Sequence, residues 1–285
     1  MAKITIIILN FNTKDLTVRA IESCLSLSYP NIDVVVVDNA SSDDSVSAFK
    51  SLQKKDTRLH VIASETNVGF AGGNNLALRE VDSDYVMLLN SDAYFAAKSD
   101  LETALDFMDQ YKDIGMLSPY VTLGSGKIDP ACHRGFPSPW NAWSYFLGLE
   151  KYTRSIPGLN RLFGGYHQTW KNLNVIHDID ACTGAAMILR REAIEEIGLL
   201  DEQFFMYGED LDWCFRLKEE EWRIVFFPHL HVIHDKHSSG LKKKHEKSKD
   251  AFYEAMKLFY KKHDLGPPWM ENLVLVGIHV LSKIR

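Results

Sequence analysis

The sequence contains few cysteines and no long hydrophobic run. Its four cysteines (Cys24, Cys132, Cys182 and Cys214) are widely spaced and form no CxxC pair, which argues against a disulfide framework and against a cysteine-based zinc site. We therefore expect reduced, mostly buried thiols. No stretch reaches the ~18 consecutive apolar residues that a membrane-spanning helix needs, and the first residues show no signal-peptide pattern. The predicted location is the cytoplasm.

A general excess of basic residues is also missing. The chain has 32 Lys and Arg against 38 Asp and Glu, a net charge of −6, which disfavours a nucleic-acid partner. The charge is unevenly distributed, because residues 236–285 hold 11 basic and 5 acidic residues (+6) while residues 1–235 hold 21 and 33 (−12). The basic C-terminal tail therefore indicates an anionic partner.

The usual nucleotide-binding motifs are absent too. No GxGxxG follows the first predicted strand and no GxxxxGK[ST] occurs, which disfavours dinucleotide dehydrogenases and P-loop enzymes. A different glycine-rich segment, Asn67–Asn75, opens a predicted helix. Its glycines, Gly72 among them, would let a phosphate approach the backbone closely.

The first 90 residues alternate short β-branched runs with helical patterns. This alternation predicts an open, Rossmann-like α/β sheet, mostly parallel, with helices on both faces. Regular patterns return after residue 184. The predicted strands are 4–9, 33–38, 59–63, 85–89, 185–189, 223–227 and 229–233, and the predicted helices are 15–27, 45–54, 73–81, 191–197 and 209–219.

Two parts of the chain fall outside this alternation. Residues 125–177 are aromatic-rich and show no clear period, so we expect a long irregular insertion with one short helix near 140–147, on the acceptor side of a site. Residues 241–285 read as a basic, amphipathic helical tail that can lie on an anionic membrane surface, following a main domain of residues 1–240. Packing on the body and a homodimer contact are the alternatives for this tail.

Polar side chains follow three predicted strands where each strand ends: Asn10 and Asn12, Asp38 and Asn39, and Asn90 and Asp92. Ligands bind beyond the carboxyl ends of the strands in open α/β sheets, so these residues indicate a site, although Asn and Asp also cap helices and form turns. A carboxylate such as Asp92 at a strand end suits Mg²⁺ or Mn²⁺.

Acids and histidines cluster in the last third. Glu209, Asp210 and Asp212 open a predicted helix, where the dipole favours an ionised Asp210, as a general base requires. Helix capping is the alternative. His229, His231, His234 and His237 match no trusted zinc motif. His234 stands at a strand end, where it could assist a cation.

Seven segments in sequence order resemble the family 2 inverting glycosyltransferases of the GT-A fold. The resemblance is to the rhamnosyltransferase-like branch that builds bacterial cell-surface polysaccharides. The matching segments are residues 6–12, 36–41, 67–75, 88–92, 184–191, 204–212 and 232–234.

The resemblance implies a role for each matching residue. Asp38 would contact a pyrimidine base, and Asp210 would be the catalytic base, with Glu209 as the second choice. Asp92 would occupy the last position of the DxD metal motif, whose first aspartate is replaced by Asn90, and His234 would be an additional metal ligand. The implied nucleotide-sugar site comprises Asn10, Asn12, Asp38, Asn39, Asn67, Gly72 and Asn90.

The implied reaction is metal-dependent sugar transfer from a dTDP- or UDP-sugar to a glycan or lipid-linked acceptor, with dTDP-rhamnose as the expected donor. The tail would then hold the enzyme on the cytoplasmic face of the inner membrane. Two alternatives remain open: a metal hydrolase built on His234, Asp235 and His237, and a non-catalytic nucleotide-sugar-binding module, prompted by Asn90.

Overall fold

A computed structural model describes residues 1–97, 99–236, 244–263, 265 and 274–278, with only the backbone described for 244–249. The strands are β1 Ile4–Asn10, β2 Ile32–Asp38, β3 Leu59–Ala63, β4 Tyr85–Asn90, β5 Ala93–Phe95, β6 Ile114–Leu123, β7 His177–Ile179, β8 Ala186–Arg190 and β9 Arg223–His234. The helices are α1 Lys14–Leu25, α2 Ser45–Gln53, α3 Gly69–Leu78, α4 Leu101–Gln110, α5 Pro139–Phe146, α6 Leu149–Thr153, α7 Leu159–Phe163, α8 Arg191–Ile197, α9 Glu209–Glu219 and α10 Lys244–Lys262.

The described strands form one sheet in the order β3-β2-β1-β4-β8-β6-β9-β5, with β7 paired to β9. β1 to β4 are mutually parallel, and β6 and β9 run the same way, whereas β5, β7 and β8 are antiparallel to their neighbours. This is the expected α/β sheet, mostly parallel. The carboxyl ends of β1, β2, β4 and β9 meet at one edge of the sheet, which we call the carboxyl edge; the opposite edge is the amino edge.

Most predicted elements are confirmed with small shifts of their ends. The two strands predicted at 223–227 and 229–233 form the single strand β9, which is paired to β6 across a bulge. β5, α4 and β6 were not predicted. They lie between residues 93 and 123, where α4 begins at an Asp100 side chain that accepts a hydrogen bond from the Thr103 N–H.

The insertion at 125–177 contains more regular structure than expected. The expected helix near 140–147 is present as α5, where Ser138 caps the first turn and Pro139 occupies its first position. However, α6 and α7 follow it, and residues 130–132 form a 3₁₀ turn. Helices of five residues are too short to show a 3.6-residue period, which is why the sequence pattern missed them.

The described part of the tail packs on the body. On α10, Phe259 is 1% exposed and contacts the buried Phe204, and Tyr260 is 3% exposed. The lysines at 242 and 243 lie outside the described residues, so the predicted basic run is only partly described. All four cysteines are free and buried, as expected. None of the helices within the described ranges has the length and hydrophobicity to cross a membrane.

Candidate active site

The loops after β1 and β2 are cross-linked by buried polar side chains. The Asn10 Nδ2 group donates to Asp38 Oδ1 at 2.6 Å, and Ser41 N–H donates to Asp38 Oδ2 at 3.0 Å. Thr17 Oγ1 donates to Asn10 Oδ1 at 2.7 Å. Asn10 is 0% and Asp38 1% exposed. Both side chains therefore hold the two loops together, and their assignment as nucleotide contacts stays a prediction.

Asn12 and Asn39 connect the next loops. Asn12 has a positive φ of 55° and is exposed, and its Oδ1 accepts from Ser42 N–H at 2.8 Å. The Asn39 side chain donates to Asn67 Oδ1 at 3.0 Å and accepts from Val68 N–H at 3.0 Å. Asn39 is buried, whereas Asn12 lies on the rim of the carboxyl edge, where a ligand can reach it.

The glycines of the glycine-rich segment allow close packing between α3 and its neighbours. A Cβ on Gly69 (φ 79°) would lie 2.4 Å from the Phe205 carbonyl oxygen, and one on Gly73 would lie 2.4 Å from the Leu9 side chain. Gly72 is buried inside α3, against Val68. These glycines let α3 approach β1 and the 204–207 loop closely. Contact of Gly72 with a nucleotide stays a prediction.

Asp92 and His234 meet at the carboxyl edge, as the sequence predicted for two ligands of one cation. His234 Nε2 lies 3.1 Å from Asp92 Oδ1, and its Nδ1 lies 3.6 Å from Asp129 Oδ2. Lys236 Nζ lies 3.1 Å from the same Asp129 oxygen. Burial lowers the pKa of His234, but hydrogen bonding and the charges of Asp129 and Asp92 outweigh it and raise the pKa to about 9.

The donor set of this pair fits a divalent cation. Two neighbouring ligand atoms of an octahedral cation lie about 3 Å apart when each is ~2.1 Å from the metal, and the Asp92–His234 separation is 3.1 Å. The other ring nitrogen, Nδ1, faces Asp129 and leaves Nε2 as the nitrogen that a cation next to Asp92 would use. Asn90 adds an amide that accepts no hydrogen bond from the described side chains. Within the described ranges, no group of three or more His, Cys, Asp and Glu side chains forms a ready-made metal site, so substrate oxygens would have to complete the shell.

Asp210 accepts hydrogen bonds from three donors. Arg134 Nη2 donates to Asp210 Oδ2 at 2.8 Å, and Gly184 N–H donates to the same oxygen at 3.1 Å. Asp210 Oδ1 accepts from Leu211 N–H at 2.8 Å. Burial lowers the pKa of Arg134, but the Asp210 charge outweighs it and the pKa is raised. Arg134 therefore stays charged beside the Asp210 carboxylate.

Glu209 differs from its neighbour. It is 6% exposed, and its Oε2 is buried without a hydrogen-bond partner. Burial raises the pKa of Glu209 to about 8, and the charge of the adjacent Asp210 adds to this rise. The raised pKa favours the protonated form of Glu209 at neutral pH.

The third acid of this run, Asp212, has a structural role. It is 0% exposed and lies 2.9 Å from Arg216 Nε, 2.6 Å from Lys262 Nζ and 2.8 Å from His263 Nε2. Lys262 also binds Asp201 at 2.6 Å. Asp212 thus ties the end of α10 to the helix that carries Asp210.

Backbone pairing places the two halves of the site side by side. Asn90 N–H donates to the Ala185 carbonyl at 2.9 Å, and the neighbouring Gly184 binds Asp210. Sequence reasoning missed Asp129 and Arg134. Neither residue belongs to a recognisable motif of the 125–177 segment. The one local signal is the Asp129-Pro130 pair, which is typical of a turn.

The residues of the hydrolase alternative are not assembled in the described part of the chain. Asp235 Oδ2 pairs with Arg19 Nη1 at 2.8 Å, while His234 faces Asp92 and Asp129. His237 lies outside the described residues. The geometry thus gives this alternative no support.

Residues 5–198 match the family described as "Glycosyl transferase family 2". The protein belongs to this family. The matched region contains β1 to β8 and therefore the loops after β1, β2 and β4, as well as Asp129 and Arg134. Asp210 and His234 lie beyond its end.

Three curated relatives differ in how much they align. An uncharacterized glycosyltransferase of Haemophilus influenzae is 36% identical over 110 residues, 39% of this chain and 44% of the relative. The low-salt glycan biosynthesis hexosyltransferase Agl10 of Haloferax volcanii is 28% identical over 81% of this chain and 67% of its own length. The N-acetylglucosaminyl-diphospho-decaprenol L-rhamnosyltransferase of Mycobacterium tuberculosis is 23% identical over 73% of this chain and 68% of its own.

Solved structures show the same fold. The mannosyltransferase PcManGT from Pyrobaculum calidifontis, in complex with GDP-Man and Mn²⁺, superposes with a TM-score of 0.61 at 16% identity. The match covers 99% of this chain and 70% of that protein. The expected GT-A fold is therefore confirmed.

Proposed function

We propose that the protein is a metal-dependent inverting glycosyltransferase. It would move a sugar from a nucleotide-diphosphate donor to a glycan or lipid-linked acceptor in cell-surface polysaccharide synthesis. The observation that carries the proposal is Asp210, a carboxylate held by Arg134 at the carboxyl edge of the sheet. Membership of the glycosyltransferase family supports the reaction class.

Asp210 acts as the general base in this proposal. Its Oδ2 is used by Arg134 and Gly184, whereas Oδ1 accepts only a local backbone N–H and has capacity for an acceptor hydroxyl. Removing the hydroxyl proton makes the oxygen nucleophilic, and its attack on the anomeric carbon displaces the nucleoside diphosphate with inversion. Arg134 stays charged throughout and holds the carboxylate in place.

Asp92 and His234 would hold the cation, with Asn90 beside them. A bound Mg²⁺ or Mn²⁺ offsets the charge that builds on the diphosphate leaving group. His234 must release its Nε2 proton to bind a metal, so Asp129 and Lys236 set how readily the site loads. The Pyrobaculum mannosyltransferase is in complex with Mn²⁺, which supports a divalent cation in this protein.

The expected donor is dTDP-rhamnose, with a UDP-sugar as the second choice. The name of the mycobacterial relative, an L-rhamnosyltransferase, supports rhamnose. Asn12 is exposed on the rim of the carboxyl edge, where a donor can reach it. Near α9, the exposed Phe205 (54%) and Met206 (41%) provide apolar surface on which a sugar ring can pack.

A thermal-shift panel tests the proposal directly. We expect dTDP or UDP to raise the melting temperature only when Mn²⁺ or Mg²⁺ is present, because the diphosphate binds through the cation. Asp92→Asn should abolish the metal-dependent part of this shift. Asp44→Asn, which changes an exposed acid on the α2 side, is the matched control.

A protein that shows no diphosphate-dependent shift with any metal would refute the nucleotide-sugar proposal. A non-catalytic binding module is the remaining alternative. It would show the shift, yet transfer no rhamnose to a synthetic acceptor and remain indifferent to Asp210→Asn.

A further inference from the structure

The three short helices of the insertion expose an unusual amount of apolar surface. Of 19 large hydrophobic side chains that are exposed in the described residues, eight lie between 140 and 162. Trp143 is 49% exposed, Leu162 52% and Tyr152 77%. Exposed apolar surface concentrated in this way marks an interaction site.

This surface is preorganised by ring packing. The Trp140 ring lies 5.3 Å from the Trp143 ring and 5.6 Å from the Phe163 ring, and its Nε1 donates to the Leu162 carbonyl at 2.7 Å. These contacts join α5 to α7. The exposed side chains therefore stand on a packed unit, which we call the α5–α7 surface.

The charges on the α5–α7 surface are almost all positive. Lys151, Arg154 and Arg161 are exposed. Glu150 is the single acid between residues 139 and 163, and its Oε1 lies 2.6 Å from His167 Nδ1 with 12% of the side chain exposed. A cationic, apolar surface on a chain of net charge −6 is complementary to an anionic partner.

We propose that the α5–α7 surface docks on an anionic lipid bilayer. Trp and Tyr favour the membrane–water interface, and helices that combine aromatic residues with Lys and Arg lie in that plane. A second copy of the chain fits less well, because a twofold contact would bring Arg154 and Arg161 close to their own counterparts. The docking does not require transferase activity.

This assignment moves the membrane contact away from the tail. On α10, Phe259 is buried with Phe204 of the body and Tyr260 donates to the Pro137 carbonyl, whereas Phe252 is 41% exposed. The α5–α7 surface also connects to the candidate base. The Tyr145 ring of α5 lies 5.3 Å from the Tyr166 ring, and Arg134 donates to Tyr166 OH at 3.4 Å while it holds Asp210. The inference thereby deepens the proposed function, in which it favours a lipid-linked acceptor.

Vesicle flotation of the full chain tests the charge contribution. We expect binding to vesicles of phosphatidylcholine with 30% phosphatidylglycerol, and little binding to phosphatidylcholine alone. Each surface Lys or Arg contributes roughly fivefold in affinity, so Arg154→Gln/Arg161→Gln should weaken binding roughly 25-fold. Lys54→Gln/Lys55→Gln, which removes two exposed charges elsewhere, should leave binding unchanged.

A second variant tests the apolar contribution. Trp143→Ser/Ile156→Ser should weaken binding to the anionic vesicles more than roughly tenfold, because two apolar side chains that would be buried in the bilayer are lost. Val175→Ser/Val276→Ser, which changes two exposed valines outside the α5–α7 surface, is the matched control. The tryptophan emission of the unmodified chain should shift to the blue on binding.

Three results would overturn the proposal: no binding to anionic vesicles, equal binding by the unmodified chain and both surface variants, or a dimer by light scattering that the Trp143→Ser/Ile156→Ser variant dissociates. The dTDP-induced thermal shift is measured on every variant. If that shift is absent while vesicle binding follows the expected pattern, the proposed transferase function fails and the docking surface stands.

Discussion

Arg190 at the amino edge of the sheet and Arg134 at the carboxyl edge have different surroundings. Arg190 donates from all three nitrogens, to the Ile114, Met108 and Tyr111 carbonyls and to the Tyr85 hydroxyl. Arg134 holds the charged Asp210, and its own buried Nε has no partner.

The same contrast extends to the other polar groups of the carboxyl edge. Buried atoms without partners occur there at Glu209 and His234, whereas Arg190, Tyr85 and Asp109 have none among the described residues. Unpaired buried polar atoms cost free energy of folding. The groups around Arg190 are thus fully paired, whereas the described residues of the carboxyl edge include unpaired buried atoms.

The largest expected effect is that of Asp210→Asn. The amide cannot accept a proton, so we expect the transfer rate to fall about 10³-fold. The free energy of unfolding should also fall, because Asn leaves the buried Arg134 without its counter-charge, so the rate is measured on the folded fraction. Steady-state transfer kinetics with Asp44→Asn as control measure this, and retention of more than a tenth of the activity would assign the base elsewhere.

Arg190→Met should lower the stability of the protein and leave its transfer rate unchanged. It leaves three carbonyls and the Tyr85 hydroxyl without their donor, and we expect a loss of about 3 kcal/mol in the free energy of unfolding. Denaturant unfolding measures the loss, with Arg191→Met as the neighbouring, more exposed control. The turnover number of the folded fraction should be unchanged; a fall comparable to that of Asp210→Asn would erase the distinction between the two edges.

Glu209→Gln tests whether the unpaired Glu209 makes the free energy of unfolding depend on pH. Since the folded-state pKa of Glu209 is raised to about 8 from an ordinary 4.5, the folded protein keeps a proton that the unfolded chain releases. Its contribution to stability is therefore full below about pH 4.5 and falls as the pH rises toward 8, by at most ~1.4 kcal/mol per pH unit. Since Gln does not titrate, the stability of the Gln variant lacks this dependence on pH.

Denaturant unfolding of the two proteins at pH 5, 6, 7 and 8 measures the difference. We expect the Gln variant to gain in relative stability at each step, with the gain levelling off near pH 8. A constant difference across this range would mean that Glu209 is already ionised in the folded protein.

The smallest effect is expected for Lys262→Met. Lys262 bridges Asp201 and Asp212 and is partly exposed, so its removal should cost about 1 kcal/mol in unfolding free energy. Lys261→Met, at the adjacent exposed position, should cost less. If α10 positions α9, as the bridge to Asp212 indicates, Lys262→Met should also lower the turnover number more than it alters the KM for donor.

The patterned parts of the fold were predictable. β1 to β4 are short β-branched runs separated by amphipathic helices, and their polar ends at Asp38 and Asp92 lie at one edge as expected. The strand β5 and the helices α6 and α7 were missed, because three-residue strands and five-residue helices carry too little periodicity. The elements α4 and β6 have ten residues each, so their length does not explain why they were missed.

The site was predicted in outline and corrected in its contacts. The pairing of Asp92 with His234 was expected from their strand ends, and it is present. The enclosure of Asn10 and Asp38 was not expected, since a sequence shows which polar residues end a strand but not which of them the neighbouring loops cover.

The sequence by itself determined the alternation of elements, the direction of the first four strands and the residue types available at the carboxyl edge, because each depends on local patterning. Only the tertiary structure distinguished the surroundings of the two neighbouring carboxylates, Glu209 and Asp210. Arg134 reaches Asp210 from 76 positions away, and burial raises the pKa of Glu209 instead. Charge pairing and desolvation depend on neighbours in space, and no spacing along the chain records them.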